Sequence, residues 1–239
     1  MENVIPKIIH YCWFGRNPLP KSAKKCIASW KKYLPDYEIK EWNEDNFDVN
    51  IIPYTRDAYE AKKYAFVSDF ARFWVLFKFG GLYFDTDVEV IRPMDDLVGK
   101  GAFMGWETAN QDGVQKVAPG LGLCAPIGHP LYKEILVRYE NLTFYDLNGV
   151  INKYTMIPLV TEILENYGLR LDGTKQQVAE TTIFPAEYFC PMNNITGDLL
   201  VAENTFSIHW YSMSWISKKS QWRLKLGRWY RRLGGFISS

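Results

Sequence analysis

Residues 57–79 read as one helical stretch that is apolar on nearly every side, through Tyr64, Phe66, Val67, Phe70, Phe73, Trp74, Val75, Leu76 and Phe77. A helix without a polar face belongs inside a domain or a membrane. It stops at Gly80-Gly81 and gives way to Leu82-Tyr83-Phe84, which reads as the end of a buried strand. Ser68, Asp69 and Arg72 interrupt its apolar surface. At about 100° per residue they share one sector of the helix, three or four positions apart. Buried charges are costly unless paired or used. The trio therefore either ties the helix to its neighbours as an ion bridge or borders a pocket.

Asp85, Asp87 and Glu89 follow the strand on alternating positions. Strand residues two apart share a side, so the two aspartates are expected to aim at one point. Convergent carboxylates repel unless something positive lies between them, and a hard divalent cation fits. Magnesium or manganese held this way keeps positions open that substrate phosphates fill. The alternative is a pair of solvated aspartates in a turn. Because the helix runs straight into the strand, the Ser68–Asp69–Arg72 sector and the two aspartates are placed on one pocket, with Glu89 structural.

Elsewhere strand and helix patterns alternate. Strands are expected at 7–13, 37–42, 88–91, 102–106, 122–125 and 205–210, and helices at 20–33, 131–139 and 157–166. This is the order of an α/β domain with a mainly parallel central sheet flanked by helices. Ligands of such sheets sit at the carboxyl ends of strands, which puts Trp13 and Asp85 on one rim. The chain has 239 residues, 47% of them apolar, enough for one large domain. Its four cysteines (Cys12, Cys26, Cys124, Cys190) form no Cys-x-x-Cys pair, which argues for reduced thiols rather than a zinc site or disulfide framework. With no signal peptide and no spanning run in view, the expected location is the cytoplasm.

Ser68-Asp69-Phe70-Ala71-Arg72 followed by Gly80-Gly81-Leu82-Tyr83-Phe84-Asp85-Thr86-Asp87 resembles the signature of glycosyltransferases with a DXD sugar-binding motif. It is similar to the bacterial capsular-polysaccharide and yeast mannosyltransferase branch, family 32 of the glycosyltransferases. The opening Ile5-Pro6-Lys7-Ile8-Ile9-His10-Tyr11-Cys12-Trp13-Phe14-Gly15 and the closing His209-Trp210 with Ser214-Trp215 agree with it. The resemblance implies a GT-A-like nucleotide-diphospho-sugar transferase fold and a retaining, metal-dependent sugar transfer to a glycan or lipid-linked acceptor in surface polysaccharide synthesis. It assigns Asp69 and Arg72 to the donor sugar, Asp85 to ribose or sugar and to the metal, and Asp87 to manganese or magnesium. Trp13 becomes a base-stacking candidate and Tyr83 a donor contact. His209 becomes a candidate third metal ligand, while Ser214 and Trp215 close over the diphosphate. His10 and His129 read as satisfied core or turn residues, and Glu107 could face the acceptor though no spacing requires it.

Two other classes compete. A haloacid-dehalogenase-type phosphohydrolase also ends a strand in Asp-x-Asp, but usually in its first strand, and Asp95-Asp96 follows too soon for its later acidic pair. A non-catalytic nucleotide-sugar-binding module is the other.

After Glu203 there is no acidic residue, while Lys218, Lys219, Arg223, Lys225, Arg228, Arg231 and Arg232 add seven positive charges. Trp222, Leu226, Trp229 and Leu233 fall on one helical stripe. Residues 218–239 thus read as a basic amphipathic tail behind a catalytic domain at 1–217, suited to an anionic membrane surface or packed on the domain. Nucleic acid is not expected, because the positive charge is local and the chain's net charge is +1.

Overall fold

The computed structural model describes residues 4–108, 114–152, 154–193 and 195–212. In chain order the elements begin β1 (Ile8–Cys12), α1 (Lys21–Tyr33), β2 (Glu38–Trp42), α2 (Pro53–Glu60), α3 (Tyr64–Phe79), β3 (Gly81–Tyr83), β4 (Val88–Val90) and α4 (Asp95–Val98). They continue β5 (Phe103–Gly105), β6 (Leu123–Ala125), α5 (Pro130–Glu140), α6 (Met156–Asn166), β7 (Gln176–Val178), β8 (Thr181–Phe184), α7 (Ala186–Phe189) and β9 (Ser207–His209).

Seven strands form one sheet in the order β2-β1-β3-β6-β5-β8-β7. The pairings β1·β2, β1·β3 and β5·β8 are parallel, and those of β6 and β7 are antiparallel. Five strands therefore run one way and β6 and β7 run against them, so the sheet is mixed but mainly parallel. Alternate strand residues feed two cores, as expected of a sheet covered on both faces. Cys12, Tyr83, Met104, Leu123 and Ile183 meet α3, α5 and α6 on one side. Ile9, Tyr11, Leu82, Phe103, Cys124 and Phe184 meet Trp30 of α1 and Phe189 of α7 on the other.

The expected single helix over 57–79 is two helices. At the break Lys62 adopts φ 57°, and Lys63 N–H reaches Ala58 O while Lys62 N–H reaches Tyr59 O. That double hydrogen bond is the motif that normally ends a helix with glycine at the left-handed position, here filled by lysine. No glycine or proline marks the stop. The α3 helix then ends at Gly80 (φ 63°), and Gly81 (φ 97°) starts β3 so close to β1 that a Cβ would lie 2.5 Å from Ile8 O.

His10 is buried in β1 and fully satisfied. The Trp42 indole donates to its Nδ1 (3.0 Å) and its Nε2 donates to Gly80 O (2.9 Å). Because an indole can only donate, Nε2 carries the proton. Burial first, with the Lys40 charge adding, lowers its pKa to about 4 against the bond to Gly80. It thereby joins β1, β2 and the α3–β3 turn.

Candidate active site

The site begins where β3 ends. Asp85 and Asp87 lie in the turn between β3 and β4, closed by Val88 N–H to Asp85 O (3.0 Å), rather than in a strand. Their convergence therefore comes from the turn and not from strand alternation, and the two carboxylates look at different partners.

Asp85 faces α3. Arg72 Nη2 stands 3.2 Å from Asp85 Oδ1 and 2.9 Å from Asp69 Oδ1, while its Nε donates to Ser68 O. Its guanidinium lies over the Tyr83 ring at 5.0 Å, and the Tyr83 hydroxyl donates to Asp85 Oδ1 at 3.1 Å. Arg72 is only 3% exposed. Burial opposes its charge, but Asp85, Tyr83 and Asp69 outweigh it and raise its pKa. Burial pushes the Asp69 carboxyl up to about 6, with Arg72 pulling the other way. Burial also raises Asp85 against the pull of Arg72. Since the Tyr83 hydroxyl is spent on Asp85, its reach toward a donor runs through that carboxylate. The same bonds count against Asp85 as a phosphohydrolase nucleophile, because Arg72 and Tyr83 already occupy it.

Asp87 faces the far end of the chain. The β4 strand pairs antiparallel with β9, setting Val88 opposite His209. Asp87 Oδ1 lies 3.1 Å from His209 Nε2, and Oδ2 accepts from Ser212 N–H (2.8 Å) and Ser212 Oγ (2.9 Å). Despite burial, His209 and Ser212 hold the Asp87 carboxyl well below the usual carboxylate range. Burial lowers His209, yet Asp87 and then Asp85 raise it overall. Glu89 is a fastener: its Oε2 accepts from Trp210 Nε1 (2.8 Å) and Lys25 Nζ (3.1 Å), pinning β9 in place.

Among the described residues, Asp85, Asp87 and His209 form a group whose ligand atoms all lie within 4.8 Å of one another. Two carboxylate oxygens and an imidazole nitrogen suit a manganese-type ion. Neighbouring ligands around a cation at about 2.1 Å stand about 3 Å apart, the spacing that Asp87 and His209 show. The opposite pKa directions of Asp87 and His209 record the ion pair that the two make with each other.

Trp13 directly follows β1 on the same rim, partly exposed, with its indole donating to Asn17 O at 2.6 Å. Glu107 follows β5 on that rim. Burial raises its pKa, and His209 and Lys116 oppose the rise, so it shares the field of the metal-type cluster. Ser214, Trp215 and the whole 218–239 tail lie outside the described residues.

Three contributors escaped the sequence reading. Ser212 grips Asp87. Tyr211 (φ 46°) stacks edge-on to His209 at 4.2 Å, with its hydroxyl 2.9 Å from Cys190 Sγ. Gly120 presses on the Asp85–Arg72 ion pair, since a Cβ there would lie 2.2 Å from Asp85 Oδ2 and 3.1 Å from Arg72 Nη1. Only the Pro119-Gly120-Leu121-Gly122 spacing hinted at a close backbone approach.

Residues 20–104 match the family model of the glycosyltransferase sugar-binding region containing a DXD motif. The matched stretch runs from α1 into β5 and contains Ser68, Asp69, Arg72, Asp85 and Asp87. The chain is similar to inositol phosphoceramide mannosyltransferase 3 of Schizosaccharomyces pombe, 27% identical over 67% of this chain and 44% of that protein. It is also similar to mannosyl phosphorylinositol ceramide synthase SUR1 of Saccharomyces cerevisiae, 26% identical over 99% of this chain and 56% of that protein. The chain spans about half the length of these curated relatives. In fold it matches a solved glycosyltransferase involved in glycosylation of the major capsid of PBCV-1, with TM-score 0.52 and 10% identity over 92% of this chain and 100% of that one. The fold is GT-A-like, as the sequence implied.

Proposed function

We propose that this chain transfers a sugar from a nucleotide-diphosphate sugar to a glycan or lipid-linked acceptor, with retention of anomeric configuration and dependence on manganese or magnesium. The observation that carries the reading is the Asp85–Asp87–His209 ligand set beside the buried Asp69–Arg72 pair, on the rim where the parallel strands end. The names of the yeast relatives favour mannose as the sugar and a glycolipid as the acceptor; the surface-polysaccharide setting rests on the resemblance.

Asp85, Asp87 and His209 would hold the cation, which would supply positive charge against the leaving diphosphate. Ser212 keeps Asp87 turned toward that position, and Tyr83 and Arg72 do the same for Asp85. Asp69 accepts sugar hydroxyls, and Arg72 supplies a fixed fork of donors next to it. Trp13 offers a flat face at the rim for the donor base. The anomeric bond to phosphate breaks, a bond to the acceptor oxygen forms on the same face, and the leaving phosphate takes the acceptor proton. No protein nucleophile is needed.

The test is a panel of nucleotide-diphosphate hexoses incubated with the chain in manganese, magnesium or chelator. Metal-dependent release of free nucleoside diphosphate from one donor is expected. Release of orthophosphate instead would identify a phosphohydrolase, and binding without turnover a non-catalytic module. Among the described residues no helix is long and apolar enough to cross a membrane. We assign the basic tail to an anionic bilayer at the cytoplasmic face. Flotation with liposomes rich in phosphatidylglycerol should fall on truncation after Ser217, and equal flotation removes the assignment.

A further inference from the structure

Large apolar side chains that face water singly need no explanation, but on this chain they cluster. Of the thirteen exposed among the described residues, six fall in two short segments: Tyr145, Leu147 and Val150 in one, Leu199, Leu200 and Val201 in the other.

The first segment joins α5 to α6 and is a hairpin that closes on itself. Asn152 N–H donates to Phe144 O and Asp146 N–H to Val150 O, both at 2.8 Å, and Gly149 (φ 73°) turns the chain. The Asp146 carboxylate accepts from Asn148 N–H and Val150 N–H at 2.9 Å each, and Gly149 N–H donates to Asp146 O. Turn positions usually hold Gly, Pro, Asn, Asp or Ser. Here the apex holds Leu147, which is fully exposed. Because these backbone N–H groups already have partners inside the hairpin, the tip can leave water without stranding them. Such a tip is disfavoured in water and well suited to an apolar interface.

Its place follows from the chain. Phe144 anchors the hairpin on Tyr54 of α2 and Phe66 of α3, with ring centroids 5.9 and 5.4 Å away. Phe66 comes six residues before Arg72, which meets Asp85, so the anchor stands about 9 Å further along α3 than the site. Since α3 descends to Gly80 and β3 climbs back to Asp85, the hairpin rises past the donor rim. The second segment stands on the other face of the sheet. Leu200 N–H donates to Pro191 O (3.1 Å), and the adjacent Cys190, in the core of α1 and α7, meets Tyr211 beside His209. The rim thus lies between two apolar tips. The chain also leaves the described residues at this end, from Ser212 on Asp87, and residues 213–239 carry seven basic side chains and no acidic one.

Tips that protrude on opposite faces of a sheet offer no continuous patch to a rigid protein surface, whereas a fluid bilayer closes around each. We propose that both tips enter the surface of an anionic bilayer, Leu147 and Val150 from one side and Leu200 and Val201 from the other, and so set the donor rim against the lipid. The Asp146 carboxylate stays at the level of the headgroups, so the insertion is shallow. Contact through the tips does not depend on the sugar-transfer reading; under that reading it brings a lipid-linked acceptor to the rim.

The test places an environment-sensitive fluorophore on the full chain at Leu147→Cys, the four native cysteines all being buried. Vesicles of phosphatidylcholine with phosphatidylglycerol should brighten this label and shift it to the blue. They should leave unmoved a label at Ile127→Cys, exposed at the opposite end of the sheet, where Ala125 pairs with Gly81. Leu147→Asp combined with Val150→Asp should lower vesicle partitioning by about tenfold, about 1.4 kcal/mol, with the unfolding midpoint unchanged. None of these readings requires donor turnover. A label at Leu147 that stays silent with vesicles, whether or not the chain floats, would overturn the proposal, and so would unchanged partitioning of the double variant. A blue shift that grows with protein concentration in the absence of vesicles would assign the tips to a second copy of the chain and overturn it as well.

Discussion

The two carboxylates of the Asp-x-Asp turn sit in walls built in opposite ways. The Arg72 wall comes from one continuous stretch, helix α3 running through Gly80-Gly81 into β3, and it is buried and cross-braced by Tyr83. The His209 wall joins residues half a chain apart through the two-stranded β4–β9 sheet, fastened by Glu89 and Ser212. Burial pushes the Asp85 carboxyl up against the pull of Arg72, while His209 and Ser212 pull the Asp87 carboxyl down. One turn thus holds a carboxylate braced by Arg72 and Tyr83 and another braced by His209 and Ser212. The first wall stabilises the fold as well as the site; the second closes the site alone.

That division predicts different losses. Arg72→Met leaves Asp69 and Asp85 buried without their cation, and should cost about 3–5 kcal/mol of stability as well as activity, read by denaturant unfolding. A fully stable, inactive variant would put Arg72 with the second wall instead. Asp87→Ala should lose two to three orders of magnitude in turnover, about 3–4 kcal/mol of transition-state stabilisation, without a comparable fall in unfolding free energy. Unimpaired turnover at saturating donor would break the comparison outright.

Acid reaches the first wall through His10. Its folded pKa of about 4 lies below the unfolded value of 6.5, so as pH falls the unfolded chain takes up the proton first. The His10 contribution is therefore whole above pH 6.5 and drains away toward pH 4, by about 3 kcal/mol. His10→Gln should be less stable at neutral pH but lose less on acidification, measured as paired unfolding curves. Parallel pH profiles for the two proteins would contradict this. The smallest effect belongs to Gly120→Ala, whose methyl must displace the Asp85 carboxylate. We expect a cost of about 1–3 kcal/mol and reduced turnover, with Asp87-side metal affinity, read by calorimetry with manganese, changed less than donor affinity.

Legibility in the sequence followed the same division. The Ser68–Asp69–Arg72 sector and the Gly-Gly break are local, and helix periodicity plus the cost of buried charge were enough to set them beside Asp85. The α/β class and the mainly parallel sheet followed from the alternation of strand and helix patterns. What depended on distant pairing was hidden. Ser212 carries no local signal, and its role exists only because β9 docks on β4. The strands β7 and β8 were missed because Thr181, Thr182 and Gln176 make them look polar, although Ile183, Phe184 and Val178 fill the core. The end of α2 was missed because a lysine occupies the position where glycine would have announced it.

The β4–β9 pairing also imposes an order on assembly. Synthesis from the N-terminus delivers Asp85, Asp87 and the complete Arg72 wall long before Ser207, Ile208 and His209 leave the ribosome. A nascent chain can thus close its sheet and settle its buried charges while still lacking the third ligand and the serine that aims Asp87. Closure of the Asp85–Asp87–His209 group therefore waits on the docking of β9, after the Arg72 wall is already complete.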